Sequence, residues 1–117
     1  MMKRTLLAAI FVTGPALADP PVINNVNAKE VAGLWSFDVT LTHGDTGWDD
    51  YADGWRILDD QGKELGLRAL AHPHVNEQPF TRSLSGVRIP EGVEEVGIQA
   101  RDTIGGWSPN IKRVSLR

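Results

Sequence analysis

Sulfur is almost absent from this sequence of 117 residues, which has no cysteine and only two methionines, both at its start. The chain can therefore form no disulfide, no thiolate metal site and no lipid-bearing cysteine. Long apolar runs are equally scarce, because the longest one, residues 6–12, is far below the roughly 20 residues that a transmembrane helix needs. We expect no insertion into a membrane, and a domain that is stabilised by its core alone.

The first 20 residues, MMKRTLLAAIFVTGPALADP, have the features of a secretory signal peptide. A basic pair precedes the apolar run, a Gly-Pro pair breaks it, and residues 16–18 form a small-residue cleavage pattern. We predict that residues 1–18 are removed on export to the periplasm or the medium, and that residues 19–117 form a single domain. The alternative, a buried helix of the folded domain, would be ended by Pro20 and Pro21.

The charge of the chain restricts its partners. The net charge of −3 becomes −5 once the two cations of the signal segment, Lys3 and Arg4, are removed. Nucleic acids and anionic membrane surfaces favour basic proteins, so neither is an expected partner. A protein or glycan partner, or a metal ion, stays compatible with this charge, and we expect a monomer.

Apolar and polar residues alternate through most of the remaining chain. Trp35, Phe37, Val39 and Leu41 alternate with polar residues, as in a half-buried strand, and His43 continues in phase with them. Proline and glycine separate several segments of this kind. They predict an all-β fold, a seven-stranded antiparallel sandwich, with strands at about 22–28, 33–43, 53–58, 64–71, 79–87, 94–102 and 108–116.

The third and fourth predicted strands read as a hairpin around a turn at residues 59–63. Trp55 lies in phase with the apolar face of the first of these strands, so Trp55, like Trp35, is a predicted core residue. In the second strand, alternation places Leu65, Leu67 and Ala69 on the inner face.

The closing segment, VEEVGIQARDTIGGWSPNIKRVSL, resembles the last two strands of fibronectin type III and related immunoglobulin-like domains. An alternating strand ends in Ala-x-Asp, a glycine-rich turn follows, and Trp-Ser-Pro opens the final strand. The resemblance implies a fold and no chemistry, because this fold hosts many functions. The segments GWDDYADGW and HPHVNEQPFTR also look similar to those of small exported bacterial proteins of unassigned function.

Strand direction predicts where the polar residues meet. If successive strands alternate in direction, the connections 44–52, 72–78 and 103–107 lie at one end of the sandwich, together with all three histidines. Loops at one end of a rigid sandwich commonly carry recognition. We therefore interpret the chain as a binding module, whose predicted partner-binding residues are Trp48, Asp49, Asp50, Tyr51, Asp53, Arg82 and Trp107.

The segment HPHVNEQPFTR adds a metal hypothesis. His72 and His74 are two residues apart around a proline, so in an extended backbone both imidazoles project to the same side. With His43 and Glu77 they would offer three nitrogen ligands and one oxygen ligand, a set that suits zinc or copper(II). The alternative is that these histidines form hydrogen bonds with the loop backbone.

Other kinds of chemistry find less support in the sequence. The stretch DTGWDDYAD does not match a calcium-binding loop of twelve residues, and no Gly-x-Ser-x-Gly elbow is present, so we do not predict an enzyme. Arg82 shares the parity of the apolar Phe80 and Leu84, and its charge therefore requires a partner, for which Glu77 and Asp102 are the candidates. For Trp107 the alternative to ligand binding is packing beneath the preceding turn.

Overall fold

A computed structural model of the chain describes residues 19–117, and the predicted signal segment 1–18 lies outside the described residues. The prediction of seven antiparallel strands is confirmed, with bounds that differ by at most three residues from the predicted ones. Within the part described, no helix is long and apolar enough to cross a membrane. The strands are β1 (Val22–Val31), β2 (Leu34–Thr42), β3 (Ala52–Leu58), β4 (Glu64–Ala69), β5 (Phe80–Val87), β6 (Glu95–Asp102) and β7 (Gly106–Ser115).

The strands form two sheets, one of three strands in the order β1-β2-β5 and one of four in the order β4-β3-β6-β7. Every pairing is antiparallel. The chain passes from one sheet to the other between β2 and β3, between β4 and β5, and between β5 and β6. The two sheets therefore depend on each other for burial of their inner faces.

The core lies between the two sheets and is built by the alternation that the sequence shows. On β2 the apolar residues Trp35, Phe37, Val39 and Leu41 are all buried, while the residues between them are not. The side chain of Trp55 is also fully buried, so the prediction that both tryptophans belong to the core is confirmed. The other sheet supplies the buried residues Ala52, Ile57, Leu58, Leu70, Val96, Ile98 and Ala100.

The predicted inner face of β4 is wrong at two positions. Leu67 is 50% exposed and Ala69 is exposed, whereas Leu70 is buried. A register shift in the β3–β4 pairing, between the partners of Ile57 and Leu58, is the cause, because a one-residue slip reverses the face that each later side chain occupies. Gly66 faces inward instead, and a Cβ atom there would lie 3.0 Å from Cδ2 of Leu84.

Candidate functional site

The structure brings the three predicted connections together at one end of the sandwich, where β2, β4 and β6 end and β3, β5 and β7 begin. Direct hydrogen bonds join them. The His74 amide donates to Oδ2 of Asp45 at 2.8 Å, and the Thr103 amide donates to the Tyr51 carbonyl at 3.0 Å. We call this surface, formed by residues 43–51, 70–79 and 103–105, the loop end.

His43 is the centre of a buried polar cluster under the loop end. Its ring Nδ1 lies 2.5 Å from Oδ1 of Asp45, and its Nε2 lies 3.2 Å from Oδ2 of Asp102. All three residues are at least 94% buried. Each ring nitrogen of His43 therefore has a buried carboxylate oxygen within hydrogen-bond distance.

The two carboxylates of this cluster also bind the backbone of the loops. Asp45 accepts from the Ala52 amide at 3.0 Å, in addition to the His74 amide, so this one side chain joins two of the connections. Asp102 accepts from the amides of Ile104 and Gly105 at 3.0 and 2.5 Å, which closes the third connection. We call His43, Asp45 and Asp102 the buried hub.

Gln78 completes the support of the loop end. Its Oε1 accepts from the His43 amide at 3.0 Å, and its Nε2 donates to the His74 carbonyl at 2.9 Å. Sequence reasoning singled out neither Gln78 nor Asp45. The signal that pointed to a hub was the phase of His43 with the apolar face of β2, since a buried imidazole requires polar partners.

The predicted metal ligands are not assembled. Among residues 19–117 no group of three or more histidine or acidic side chains has an arrangement that could hold a metal ion. His72 and His74 do lie side by side, with ring centroids 4.6 Å apart, but both nitrogens of His43 face carboxylates of the buried hub. The expected convergence of His43 with His72, His74 and Glu77 is therefore replaced by the hub.

The hydrogen bonds of His74 explain why it does not present a lone pair to an ion. Its Nε2 lies 2.9 Å from NH2 of Arg82, which can only donate, so Nε2 accepts and the ring proton resides on Nδ1. This Nδ1 is buried without a hydrogen-bond partner in the described structure. The ring stacks on Phe80, with centroids 4.0 Å apart. Burial, reinforced by the Arg82 charge, lowers the pKa of His74 below its ordinary value of 6.5.

Arg82 alternates in phase with the apolar residues Phe80 and Leu84 of β5, so its charge requires a partner, and the structure supplies one. Its NH2 lies 3.0 Å from Oε1 of Glu77, and both side chains are partly solvated. The same nitrogen contacts His74. Arg82 therefore braces the connection 70–79 from β5, and Glu77 belongs to this ion pair.

The predicted residues 48–51 include the exposed tip of the first connection. A tight turn places Trp48 at its tip, where the side chain is 67% exposed. The Tyr51 ring meets the Trp48 ring edge to face, with centroids 5.7 Å apart and planes at 79°. Asp49 is exposed, whereas Asp50 is partly buried and has its Oδ1 3.8 Å from Nε2 of His43.

Asp53 and Trp107 are placed differently, on strands β3 and β7. Arg101 pairs with Asp53 at 3.0 Å, and Arg56 covers the Trp107 ring with its guanidinium 3.9 Å from the ring centroid. The Arg101 guanidinium lies 5.2 Å from the same ring. These two predicted binding residues are therefore engaged by the protein's own arginines.

The loop end has two further apolar side chains that sequence reasoning missed. Val75 and Ile104 are 50% and 58% exposed, and each belongs to a different connection from Trp48. The signal was available, because each is an apolar residue inside a segment already assigned to a loop at this end.

Comparison with known proteins gives a similarity at the level of sequence. Over 71 residues the chain is 42% identical to a protein of Halomicrobium mukohataei described as a "Putative lipoprotein". The match covers 61% of this chain and 34% of the relative, so the chain spans about a third of the relative's length. No protein-family model and no solved structure matches the chain.

Proposed function

We propose that this protein is an exported binding module that recognises a partner protein with its loop end. One observation carries the proposal: Trp48, Val75 and Ile104 are 67%, 50% and 58% exposed, and each comes from a different one of the three connections. Exposed apolar side chains that are held on a rigid scaffold are typical of recognition surfaces, and tryptophan is enriched among residues that dominate binding energy.

The hydrogen bonds beneath these side chains support the same function. The buried hub and Gln78 join the connections to one another, so binding would require little ordering of the loops. A preorganised surface loses less conformational entropy on association than a flexible one. The hub itself is at least 94% buried and its polar atoms serve the backbone, which favours a structural role over catalysis.

Export and fold class fit this proposal. The signal-like N-terminus and the similarity to a protein described as a lipoprotein both favour a cell-envelope or secreted location, the periplasm among them. Two antiparallel sheets of three and four strands, with three changes of sheet along the chain, support a fibronectin type III-like sandwich. Domains of this architecture commonly bind through the loops at one end.

Site-specific photo-cross-linking in living cells tests the proposal. A photoreactive phenylalanine analogue replaces Trp48 or Ile104 in the full chain, and a matched control replaces Val31, which is 55% exposed at the opposite end. We expect a discrete protein adduct from positions 48 and 104 and none from position 31. Equal adducts from all three positions, or an adduct from position 31 alone, would contradict recognition by the loop end.

A further inference from the structure

Trp48 and Tyr51 form an aromatic corner at the tip of the loop end. Their rings meet at 79°, and the edge-to-face contact leaves a right angle between a face of one ring and a face of the other. Trp48 is two-thirds exposed and Tyr51 is partly exposed, so solvent reaches both rings. The faces of aromatic rings carry negative potential and attract cations within about 6 Å of the ring centroid.

The backbone holds this corner in a fixed shape. The Asp50 amide donates to the Gly47 carbonyl at 3.2 Å, and the Thr46 amide donates to the Asp50 carbonyl at 2.9 Å, so Trp48 and Asp49 occupy the centre of a reverse turn. Thr103 fastens the turn from the neighbouring connection, since its hydroxyl donates to the Asp49 carbonyl and its amide to the Tyr51 carbonyl. The two ring faces are therefore presented without a cost of ordering the loop.

The charged residues next to the corner in sequence are negative. Two carboxylates, Asp49 and Asp50, lie between the aromatic residues in sequence, and the segment 44–51 contains no lysine or arginine. Asp49 is exposed and forms no ion pair with any residue among 19–117. The cations that flank the loop end, Arg82 and Arg101, already pair with other acids.

We propose that the corner of Trp48 and Tyr51, with Asp49 beside it, binds a lysine or arginine side chain of the partner protein. The cation lies against both ring faces, and the carboxylate of Asp49 pairs with its charge. Two walls leave the corner open on its other sides, which suits a side chain delivered by a partner whose own surface closes the site. This inference rests on the proposed function, and it specifies the chemistry of the partner.

The test uses short peptides, acetyl-Gly-Arg-Gly-amide and acetyl-Gly-Lys-Gly-amide, added to the ¹⁵N-labelled protein. The neutral control is the same peptide with citrulline, which has the shape of arginine without its charge. We expect saturable shifts of the Trp48 indole N–H with both cationic peptides, a dissociation constant on the order of millimolar, and no saturable shift with citrulline. The absence of saturation with both cationic peptides, or equal shifts with citrulline, would overturn the proposal.

Variants identify the residues responsible. Trp48→Ala should weaken binding of the arginine peptide about fivefold, as followed by the Thr103 amide, because one exposed cation–π contact has roughly that value. Asp49→Asn should weaken it as well and reduce its dependence on salt. Leu67→Ala removes an apolar side chain that is 50% exposed outside the loop end, and it should leave the affinity unchanged. Unchanged affinity in the first two variants would refute the assignment.

Two further results separate this inference from the proposed function. If tetramethylammonium binds more tightly than either peptide, the corner serves a free ammonium ion, and the assignment to a side chain is wrong. If position 48 cross-links to a protein while cationic and citrulline peptides behave alike, the binding module stands and the cation site is refuted. If the cationic peptides bind more tightly than the citrulline peptide but no position gives a cross-linked adduct, the cation site stands and recognition of a partner protein is refuted.

Discussion

Removal of the Asp45 carboxylate should destabilise the domain far more than the loss of an exposed charge at the loop end. The side chain of Asp45 is fully buried, and it accepts hydrogen bonds from His43 Nδ1, the Ala52 amide and the His74 amide. In Asp45→Ala, three buried donors lose their acceptor, at a cost of about 1–3 kcal/mol each. Since such costs are not additive, we expect a total loss of about 3–6 kcal/mol from a domain stability of roughly 5–15 kcal/mol.

Two further variants make this expectation specific. Asp45→Asn keeps the shape and one acceptor oxygen, but its NH₂ group must face a donor, so an intermediate loss of about 1–3 kcal/mol is expected. Asp49→Ala, in the same loop but exposed, should stay within about 0.5 kcal/mol of the parent. The order of stability should be parent, Asp49→Ala, Asp45→Asn and Asp45→Ala.

Urea unfolding followed by tryptophan fluorescence measures these differences, because Trp35 and Trp55 lie in the core. Equal slopes of the unfolding free energy against urea concentration are required for the comparison. If Asp45→Ala lost less than about 1 kcal/mol at an unchanged slope, the three hydrogen bonds would not be what holds the connections together. The central role assigned to the buried hub would then be refuted.

Three other outcomes follow from the structure. Burial lowers the pKa of His74, so below pH 6.5 the folded protein binds fewer protons than the unfolded chain. Stability should therefore fall with acidification through that range, and it should fall less in His74→Gln. A ¹H NMR titration of the ring should give a midpoint below 6.5. Gly97→Ala should lose about 1–3 kcal/mol in thermal unfolding, since its Cβ would lie 2.6 Å from Cγ2 of Ile111, whereas Gly44→Ala meets no atom within 4 Å and should be neutral or gain up to about 1 kcal/mol. Ala32→Asn should raise stability by about 0.5–1 kcal/mol, because Ala32 has a φ of 53° in a two-residue hairpin that favours Asn-Gly; a lower midpoint temperature would contradict this.

The strands were predictable from sequence because each of them has to bury one face. On β2 the alternation from Trp35 to Leu41 directly indicates which side chains face the other sheet. Proline or glycine marks the ends of the strands. The exception on β4 has a physical reason. A register shift beside Leu58 depends on how the paired backbones fit, and its signal in the sequence is a single glycine inside the strand, Gly66.

The location of the loop end was also predictable, since it follows from strand direction alone. Apart from the Arg82–Glu77 pair, the partners of the side chains were not. His43 and Asp102 are 59 positions apart, and their contact depends on how one sheet lies on the other. Likewise, Asp45 and Asp49 look equivalent as acids of one loop, yet the structure buries the first and exposes the second. The four predicted metal ligands do not meet within residues 19–117, because side chains that reach one end of a sandwich need not converge on one point.

The loop end therefore divides into residues that hold its shape and residues that face solvent, and the two sets should respond differently to substitution. A change in the buried hub, such as Asp45→Asn, removes bonds that join two of the connections, so stability and binding should fall together. A change at the tip, such as Trp48→Ala, removes exposed surface and leaves those bonds intact, so binding should fall alone. Unfolding and peptide affinity are measured on both variants to test whether the surface is preorganised. If the loops instead became ordered only on binding, Asp45→Asn would lower stability and leave the peptide affinity unchanged.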